Sequence, residues 1–378
     1  MRPSSTVRGV SLLAFDAIEQ LTHIVEAMHA NIAAASLPLG RGTDGRTRGI
    51  TGFVYDSIRF VNSGARSALD RGLGLLPAGG AVGEPPPATL LSVLNGVLGD
   101  HLAATENPLA IPMRLRVEGK ARSRLLLLIH GLCMSDRQWE RNGHDHGRAL
   151  ARELGLTPAY LLYNTGRHVS ENGRELAGLL EALLAERDAE LVILAHSLGG
   201  LVARSACHFG AQAGHAWPAR LRQLVFLGTP HHGAPLERRG SFLEMLLGAS
   251  PYTAPLGRLG MLRSAAITDL RYGNVCDADC RYGDRFARRG DRRAPTPLPP
   301  GVECHAIAGT RDGLVPVNSA LGLHSDPGRK LAFPEAHCWI ADGVGHFDLL
   351  DAPEVYARLR AIMTPGAPPR GRRRRAGA

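Results

Sequence analysis

The sequence predicts an α/β fold in which helices cover both faces of a mostly parallel sheet, preceded by a helical N-terminal region. Apolar residues recur every three or four positions in three stretches before residue 108, which is the period of amphipathic helices. From Met113 onwards, short apolar runs alternate with helical patterns, as in parallel sheets covered by helices. One run, residues 191–195, leads through a turn of small residues directly into an apolar helix.

The composition is that of a folded globular protein. Of the 378 residues, 44% are apolar and 21% are charged, values far from those of disordered chains. The formal net charge is +9, and five arginines in residues 370–375 supply more than half of it. We expect residues 365–378 to form a disordered, solvated tail, with contact to an anionic surface as the alternative. Since aromatic residues make up only 5% of the chain, we predict no nucleic-acid partner.

Residues 1–108 are predicted to form a helical region. Its helical patterns are separated by a Gly/Arg/Thr-rich break at residues 39–49 and a Gly/Pro-rich linker at residues 78–87. The apolar faces of these helices either pack within the protein or dock on a lipid surface, and packing is the more common use of such a face.

The N-terminal residues lack the pattern of a signal peptide. Asp16, Glu19 and Glu26 interrupt the apolar positions that follow Arg2 and Arg8. The longest apolar runs, such as residues 125–129, are far shorter than the roughly 20 residues of a membrane-spanning helix. We therefore expect a cytoplasmic protein, with peripheral membrane attachment through the N-terminal helices as an alternative.

Residues 109–364 are predicted to form the α/β domain. The predicted strands are residues 113–117, 125–129, 159–163, 191–195, 224–227, 303–308 and 337–341. The predicted helices are residues 138–154, 172–186, 198–210 and 353–362.

Residues 234–300 interrupt this alternation and are predicted to form a cap. Helical patterns at residues 241–247 and 255–270 lie within it. Phe242, Met245 and Leu246 are candidates to line a substrate pocket. Ordinary packing of a cap helix on the domain is the alternative.

Ser197 is the candidate nucleophile. The run 191–195 is followed at once by His196, Ser197, Leu198, Gly199 and Gly200, and then by an apolar helix. This is the strand, turn and helix context of a nucleophile elbow, in which small residues let strand and helix pass closely. A helix-capping serine is the alternative interpretation.

Two backbone amides are predicted to bind the oxyanion that such a nucleophile generates. The residue after the serine, Leu198, supplies one amide. The His130-Gly131 turn that ends the buried run 125–129 supplies the other, which we assign to Leu132, with Cys133 as a second choice. A plain strand-ending turn is the alternative.

The acid and the base are expected after the serine in the chain. Asp312 follows the predicted strand 303–308 in a loop bounded by glycines, and His346 follows the strand 337–341 in a Gly-Val-Gly-His-Phe loop. We predict that Asp312 orients His346 and that His346 accepts the serine proton. His337 and His324 are the competing histidines.

These segments resemble α/β-hydrolase esterases and lipases, in particular the bacterial lipase-like branch that is similar to the inositol-deacylase (PGAP-like) group. The resemblance covers about residues 124–360 and is strongest at residues 128–136, 195–200, 227–233 and 309–316. It implies hydrolysis of carboxylic esters through an acyl-enzyme, with no metal and no organic cofactor. Thioesterase, amidase and acyltransferase reactions share the same groups and remain open.

Two further questions stay open in the sequence. Cys276 and Cys280, four residues apart in a polar stretch, would close a small disulfide or supply half of a metal site, but no second pair with zinc-like spacing accompanies them, so we expect them to be unligated. A non-catalytic lipid-surface protein is the alternative to a hydrolase.

Overall fold

The computed structural model describes residues 3–35, 49–74, 88–120, 122–234, 264–280, 291 and 293–364. The chain divides into two compact units, residues 1–91 with 101–110, and residues 92–100 with 111–378. The predicted pocket residues Phe242, Met245 and Leu246 and the predicted tail 365–378 lie outside the described residues.

The first unit is built on two long helices, α1 (Pro3–Ala35) and α2 (Gly49–Gly74). They run antiparallel, since Arg8 pairs with Asp70 at 2.5 Å and Glu26 pairs with Arg59 at 2.5 Å. A third helix, α3 (Ala88–Ala104), follows, and its residues 92–100 belong to the second unit. The predicted N-terminal helical region is therefore present. Among the described helices, none has the length and apolar character needed to cross a bilayer.

The second unit contains a sheet with helices on both sides. Its strands are β1 (Arg114–Val117), β2 (Arg124–Ile129), β3 (Glu140–Arg141), β4 (His144–Asp145), β5 (Thr157–Leu162), β6 (Glu190–His196), β7 (Leu221–Leu227), β8 (Glu303–Gly309) and β9 (Cys338–Ala341). Its helices are α4 (His146–Leu154), α5 (Val169–Ala185), α6 (Leu198–Gln212), α7 (Ala265–Asp269), α8 (Asp277–Cys280), α9 (Val317–Ala320) and α10 (Pro353–Met363).

Within the described residues, the main sheet has seven strands in the order β1-β5-β2-β6-β7-β8-β9. Among these strands, the pairing of β1 with β5 is antiparallel and the other pairings are parallel. Because β2 lies between β5 and β6, the strand order reverses there, and ligands of such sheets bind at the carboxyl ends of the strands near that point. The strand order and the helical layers are those of the α/β-hydrolase fold, as predicted.

Strand β2 shows why its sequence is an unbroken apolar run. Leu125, Leu127 and Ile129 pack in one core cluster, whereas Leu126 and Leu128 pack in another on the opposite face. Successive side chains of a strand point to opposite faces, so a strand with a helical layer on each side needs apolar residues at every position. The first cluster also contains residues of α5 and α6, and the second contains residues of α4 and α10.

The predicted helix at residues 138–154 begins only at His146. A short hairpin of β3 and β4 precedes it, with left-handed backbone at Asn142 (φ 49°) and Gly143 (φ 77°) in the turn. An Asn-Gly pair favours such a turn over a helix. Asp145 then caps the helix by accepting a hydrogen bond from the Arg148 amide.

Two other predicted elements differ from the structure. Within the predicted helix 255–270, residues 264–270 are described, and the helix there is only Ala265–Asp269. The strand predicted to start at His337 starts one residue later, because His337 ends a 3-10 turn, Glu335–His337.

Candidate active site

Ser197 lies in the turn between β6 and α6 with left-handed backbone, φ 55° and ψ −125°. This conformation is strained for a residue with a side chain, and such strain is concentrated at functional positions. The Ser197 amide donates to the Leu227 carbonyl of the neighbouring strand at 2.9 Å, and its carbonyl accepts from the Gly200 amide at 3.0 Å. These bonds fix the turn between the sheet and the helix.

The small residues around Ser197 are required by close backbone contacts. A Cβ on Gly199 would lie 2.5 Å from the Ile129 carbonyl oxygen and 2.6 Å from that of His130. A Cβ on Gly131 would lie 3.0 Å from the Cβ of Ser197. The start of α6 therefore passes directly over the end of β2, and the His130-Gly131 turn lies against the serine.

Asp312 and His346 are in direct contact. His346 Nδ1 is 2.6 Å from Asp312 Oδ2, and the two side chains are 5% and 1% exposed. The other carboxylate oxygen, Oδ1, accepts hydrogen bonds from the Leu314 amide at 2.9 Å and the Val315 amide at 2.8 Å. A carboxylate only accepts, so Nδ1 carries the hydrogen and Nε2 is left with a free lone pair.

Gly228, which follows β7, is packed against this pair. Its φ is +54°, and a Cβ there would lie 3.1 Å from Asp312 Oδ2 and 3.2 Å from His346 Nδ1. Any side chain at this position would press on the histidine–aspartate contact. The sequence indicates Gly228 only as part of the Gly-Thr-Pro segment of the lipase resemblance.

His196, the residue before the serine, is a contact that sequence reasoning missed. Its Nε2 lies 3.0 Å from the His346 carbonyl oxygen, and the two rings are 4.7 Å apart. Complete burial lowers the pKa of His196 well below its usual range, so the ring is neutral and Nε2–H donates to that carbonyl. His196 thus ties the end of β6 to the loop that carries His346.

The turn after β2 distinguishes between the two predicted oxyanion donors. The Cys133 amide donates to the Thr165 hydroxyl at 3.1 Å. In the part of the chain that the structure describes, the amides of Leu132 and Leu198 donate to no protein acceptor. This leaves Leu132 and Leu198 available for an oxyanion and makes Cys133 the poorer choice.

The His130 side chain supports this turn from within. Its ring stacks on Tyr163 at 4.6 Å, and the Tyr163 hydroxyl donates to the His130 carbonyl at 2.7 Å. Burial lowers the pKa of His130 to about 4, so the ring is neutral near pH 7.

The competing histidines have other partners. His337 stacks on His305 at 4.1 Å, and its Nδ1 is 3.1 Å from the Cys304 carbonyl, at the start of β8, whereas Asp312 follows the end of that strand. The ring of His324 lies against that of His232, with centroids 4.8 Å apart and planes inclined by 60°. Within the described residues, His346 is the histidine in contact with Asp312.

Comparisons with known proteins give one family profile and several solved structures. The profile of a domain of unknown function (DUF7379) matches residues 100–249. No curated protein matches the chain significantly.

Several solved structures are similar at low identity. A lipase from Bacillus licheniformis, BlEst2 in its mature form, is 17% identical, with 67% of this chain and 98% of that chain covered and a TM-score of 0.43. A carboxylesterase of the thaumarchaeon Nitrososphaera gargenis is 15% identical, with 67% and 94% covered and a TM-score of 0.41. An enol-lactonase from Burkholderia xenovorans is 12% identical, with 66% and 95% covered and a TM-score of 0.39.

Proposed function

We propose that this protein is a serine hydrolase that cleaves carboxylic esters through an acyl-enzyme formed on Ser197. The observation that carries the proposal is the buried contact of 2.6 Å between His346 and Asp312. Both residues come later in the chain than Ser197, which is held in a strained turn between strand and helix. Nucleophile, base and acid occur in the chain order expected of this fold.

In the proposed reaction, Ser197 Oγ attacks the ester carbonyl carbon as its proton passes to His346 Nε2. Asp312 stabilises the imidazolium that forms, and the Leu132 and Leu198 amides donate to the oxyanion. Collapse of the tetrahedral intermediate breaks the bond to the alcohol, which takes the proton from His346. Water then attacks the acyl-enzyme in the same way and restores the Ser197 hydroxyl.

The resemblance to inositol deacylases extends the proposal to lipid esters. Thioester hydrolysis and acyl transfer would use the same first step. They differ from ester hydrolysis in the leaving group or in the acceptor that attacks the acyl-enzyme.

The test is hydrolysis of p-nitrophenyl esters from short to long acyl chains by the full-length protein. Ser197→Ala is the inactive variant, and Ser67→Ala, an exposed serine of α2, is the matched control. We expect activity in wild type and in Ser67→Ala, and a loss of about 10⁴-fold or more in Ser197→Ala. A folded wild type that hydrolyses no ester of the series would contradict the proposal.

We also propose that the first unit contacts a lipid surface. The observation in favour is that α2 leaves Phe60 81% exposed and leaves Ile58 and Val61, which neighbour each other on the helix surface, 40% and 67% exposed. Clustered exposed apolar side chains mark contact surfaces. Co-flotation with phospholipid vesicles should be seen for wild type and for Ser67→Asp, and should be lost in Phe60→Asp/Val61→Asp. Absence of wild-type binding would contradict this second proposal and leave the first one intact.

A further inference from the structure

A second histidine–aspartate pair, accompanied by a cysteine, lies outside the proposed active site. His168 directly precedes α5, Asp269 ends α7 and Cys280 ends α8. One ligand-type atom from each residue lies within 4.8 Å of the other two. Imidazole nitrogen, carboxylate oxygen and thiolate sulfur are the three donor types that zinc takes in proteins.

The donor atoms of these three residues lie close together, although His168 and Cys280 contact different oxygens of Asp269. His168 Nδ1 is 3.0 Å from Asp269 Oδ2, and Cys280 Sγ is 3.6 Å from His168 Nδ1 and 3.4 Å from Asp269 Oδ1. Zinc bonds of about 2.0 Å to nitrogen and oxygen and about 2.3 Å to sulfur put tetrahedral ligand atoms roughly 3.3 to 3.6 Å apart. The separation of Nδ1 and Sγ already has this value, and one Asp269 oxygen has to turn toward both atoms to complete the set, which already lies within 4.8 Å.

The carboxylate is fixed by neighbours that would orient it toward an ion. Asp269 is buried, and its Oδ2 accepts from the Val169 amide at 2.9 Å while its Oδ1 accepts from Asn274 Nδ2 at 3.0 Å. Metal-ligating carboxylates are characteristically held by such outer hydrogen bonds.

The cysteine sulfur lies beside both other donors. In the structure the Cys280 thiol donates to Asp269 Oδ1 at 3.4 Å. A divalent cation bound between Sγ and the carboxylate would take the place of this hydrogen bond. Cys276 and Cys280 are both free thiols, so the sulfur is not committed to a disulfide.

We propose that His168, Asp269 and Cys280 bind a zinc ion that links the start of α5 to residues 264–280. Binding forms bonds from the ion to Nδ1, a carboxylate oxygen and Sγ, and the Sγ proton passes to solvent. A thiolate with an imidazole selects zinc or cobalt over magnesium or calcium. The His168 side chain is 28% exposed, and we expect water to take the fourth position of a tetrahedral ion.

A second group of metal-binding residue types, Glu303, His305 and His337, is a poorer candidate and serves as an internal control. The rings of His305 and His337 are stacked, with centroids 4.1 Å apart and planes inclined by 25°. Nitrogen lone pairs lie in the plane of the ring, so stacked rings direct them side by side and not toward one point. The Glu303 carboxylate is already shared between His305 at 2.8 Å and Gln223 at 3.0 Å.

The test is metal binding by the full-length protein after removal of metal with a chelator. Titration with Zn²⁺ by calorimetry, and with Co²⁺ by absorption, should give one high-affinity ion per chain and a thiolate-to-cobalt charge-transfer band. Zn²⁺ should also release a proton and raise the melting temperature. Cys280→Ser should abolish the band and weaken binding by more than the roughly 10- to 100-fold typical of losing an outer-shell partner.

Control variants test whether the ion binds at the proposed site. Cys276→Ser, in the same Cys-Asp-Ala-Asp-Cys segment, should bind as wild type does, and Cys338→Ser replaces it as the control if Cys276→Ser does not fold. Full binding by folded Cys280→Ser, loss of the ion only in His305→Gln, or no binding by the folded wild type would each overturn the proposal.

Discussion

Two histidine–aspartate pairs in the second unit share one contact and differ in what surrounds it. Nδ1 of His346 is 2.6 Å from Asp312, and Nδ1 of His168 is 3.0 Å from Asp269. Backbone amides donate to the other oxygen of Asp312. Because Nδ1 of His346 is occupied by Asp312, Nε2 is the nitrogen left for chemistry. At the second pair, the Cys280 thiol approaches Nδ1 itself, on the same side as the aspartate.

The position of the third group sets the chemistry that each pair can support. With the aspartate at one nitrogen only, the opposite nitrogen can accept a proton while the aspartate stabilises the imidazolium, whereas a second partner at the same nitrogen creates a pocket for a cation. The two histidines also differ in exposure: the His346 side chain is 5% exposed and the His168 side chain is 28% exposed. A general base in an active site benefits from the exclusion of water, whereas a metal site needs a path by which the ion enters.

The largest effect is expected from replacing Asp312, in comparison with an exposed aspartate outside the proposed active site. Asp312→Asn should lower kcat for p-nitrophenyl esters about 10⁴-fold, because an amide at Oδ2 favours the wrong tautomer of His346. Asp326→Asn, at a side chain 54% exposed, should leave kcat unchanged. Equal rates in folded Asp312→Asn and wild type would remove Asp312 from the mechanism.

A smaller effect is expected from adding a side chain next to the contact between His346 and Asp312. Gly228→Ala places a Cβ 3.1 Å from Asp312 Oδ2 and should lower kcat about 100-fold through displacement of the reacting groups. Gly214 is the matched control, because it has a similar φ of +67° but nothing within 4 Å of its Cβ position. Gly214→Ala should cost only about 1 kcal/mol in the free energy of unfolding. The same kcat in both variants would show that the space around the pair does not matter.

His196 is expected to act as a positioning residue with an effect of about 10-fold, the value of one buried hydrogen bond. His196→Leu removes the donor to the His346 carbonyl, and His196→Gln retains a donor near Nε2. We expect kcat to fall in the leucine variant and to recover in part in the glutamine variant, with KM little changed. An equal loss in both folded variants would indicate a packing role only.

The smallest effect concerns stability at acid pH. His130 is neutral in the folded protein down to its pKa of about 4, whereas in the unfolded chain it takes a proton near pH 6.5. The unfolded state therefore binds more protons in that window, and stability falls as pH drops from about 6.5 to about 4. Thermal melts should show this decline, and His130→Asn should have a shallower slope. A slope unchanged by the substitution would assign the decline to other groups.

Much of the fold is predictable from the sequence because burial on both faces leaves unbroken apolar runs. Strand β2 was predicted to within one residue for this reason, whereas the hairpin at Asn142-Gly143 was missed because its polar strands have only two residues each. Ser197, Asp312 and His346 stand out because each follows a strand in a glycine-rich loop.

The remaining contacts depend on the tertiary fold and leave no local signal. His196 ends a buried strand, so its sequence context does not distinguish it from a core residue. His168 and Asp269 are 101 positions apart, and His168 and Cys280 are 112 apart. Only the cysteine spacing was visible in the sequence.

The most direct test of the central claim is covalent labelling of the folded protein with a fluorophosphonate, followed by mass spectrometry of the peptides. We predict one adduct per chain, on Ser197, and a rate of labelling that falls sharply in Asp312→Asn. An adduct on another residue, or no adduct on a folded protein, would contradict the assignment of Ser197 as a nucleophile.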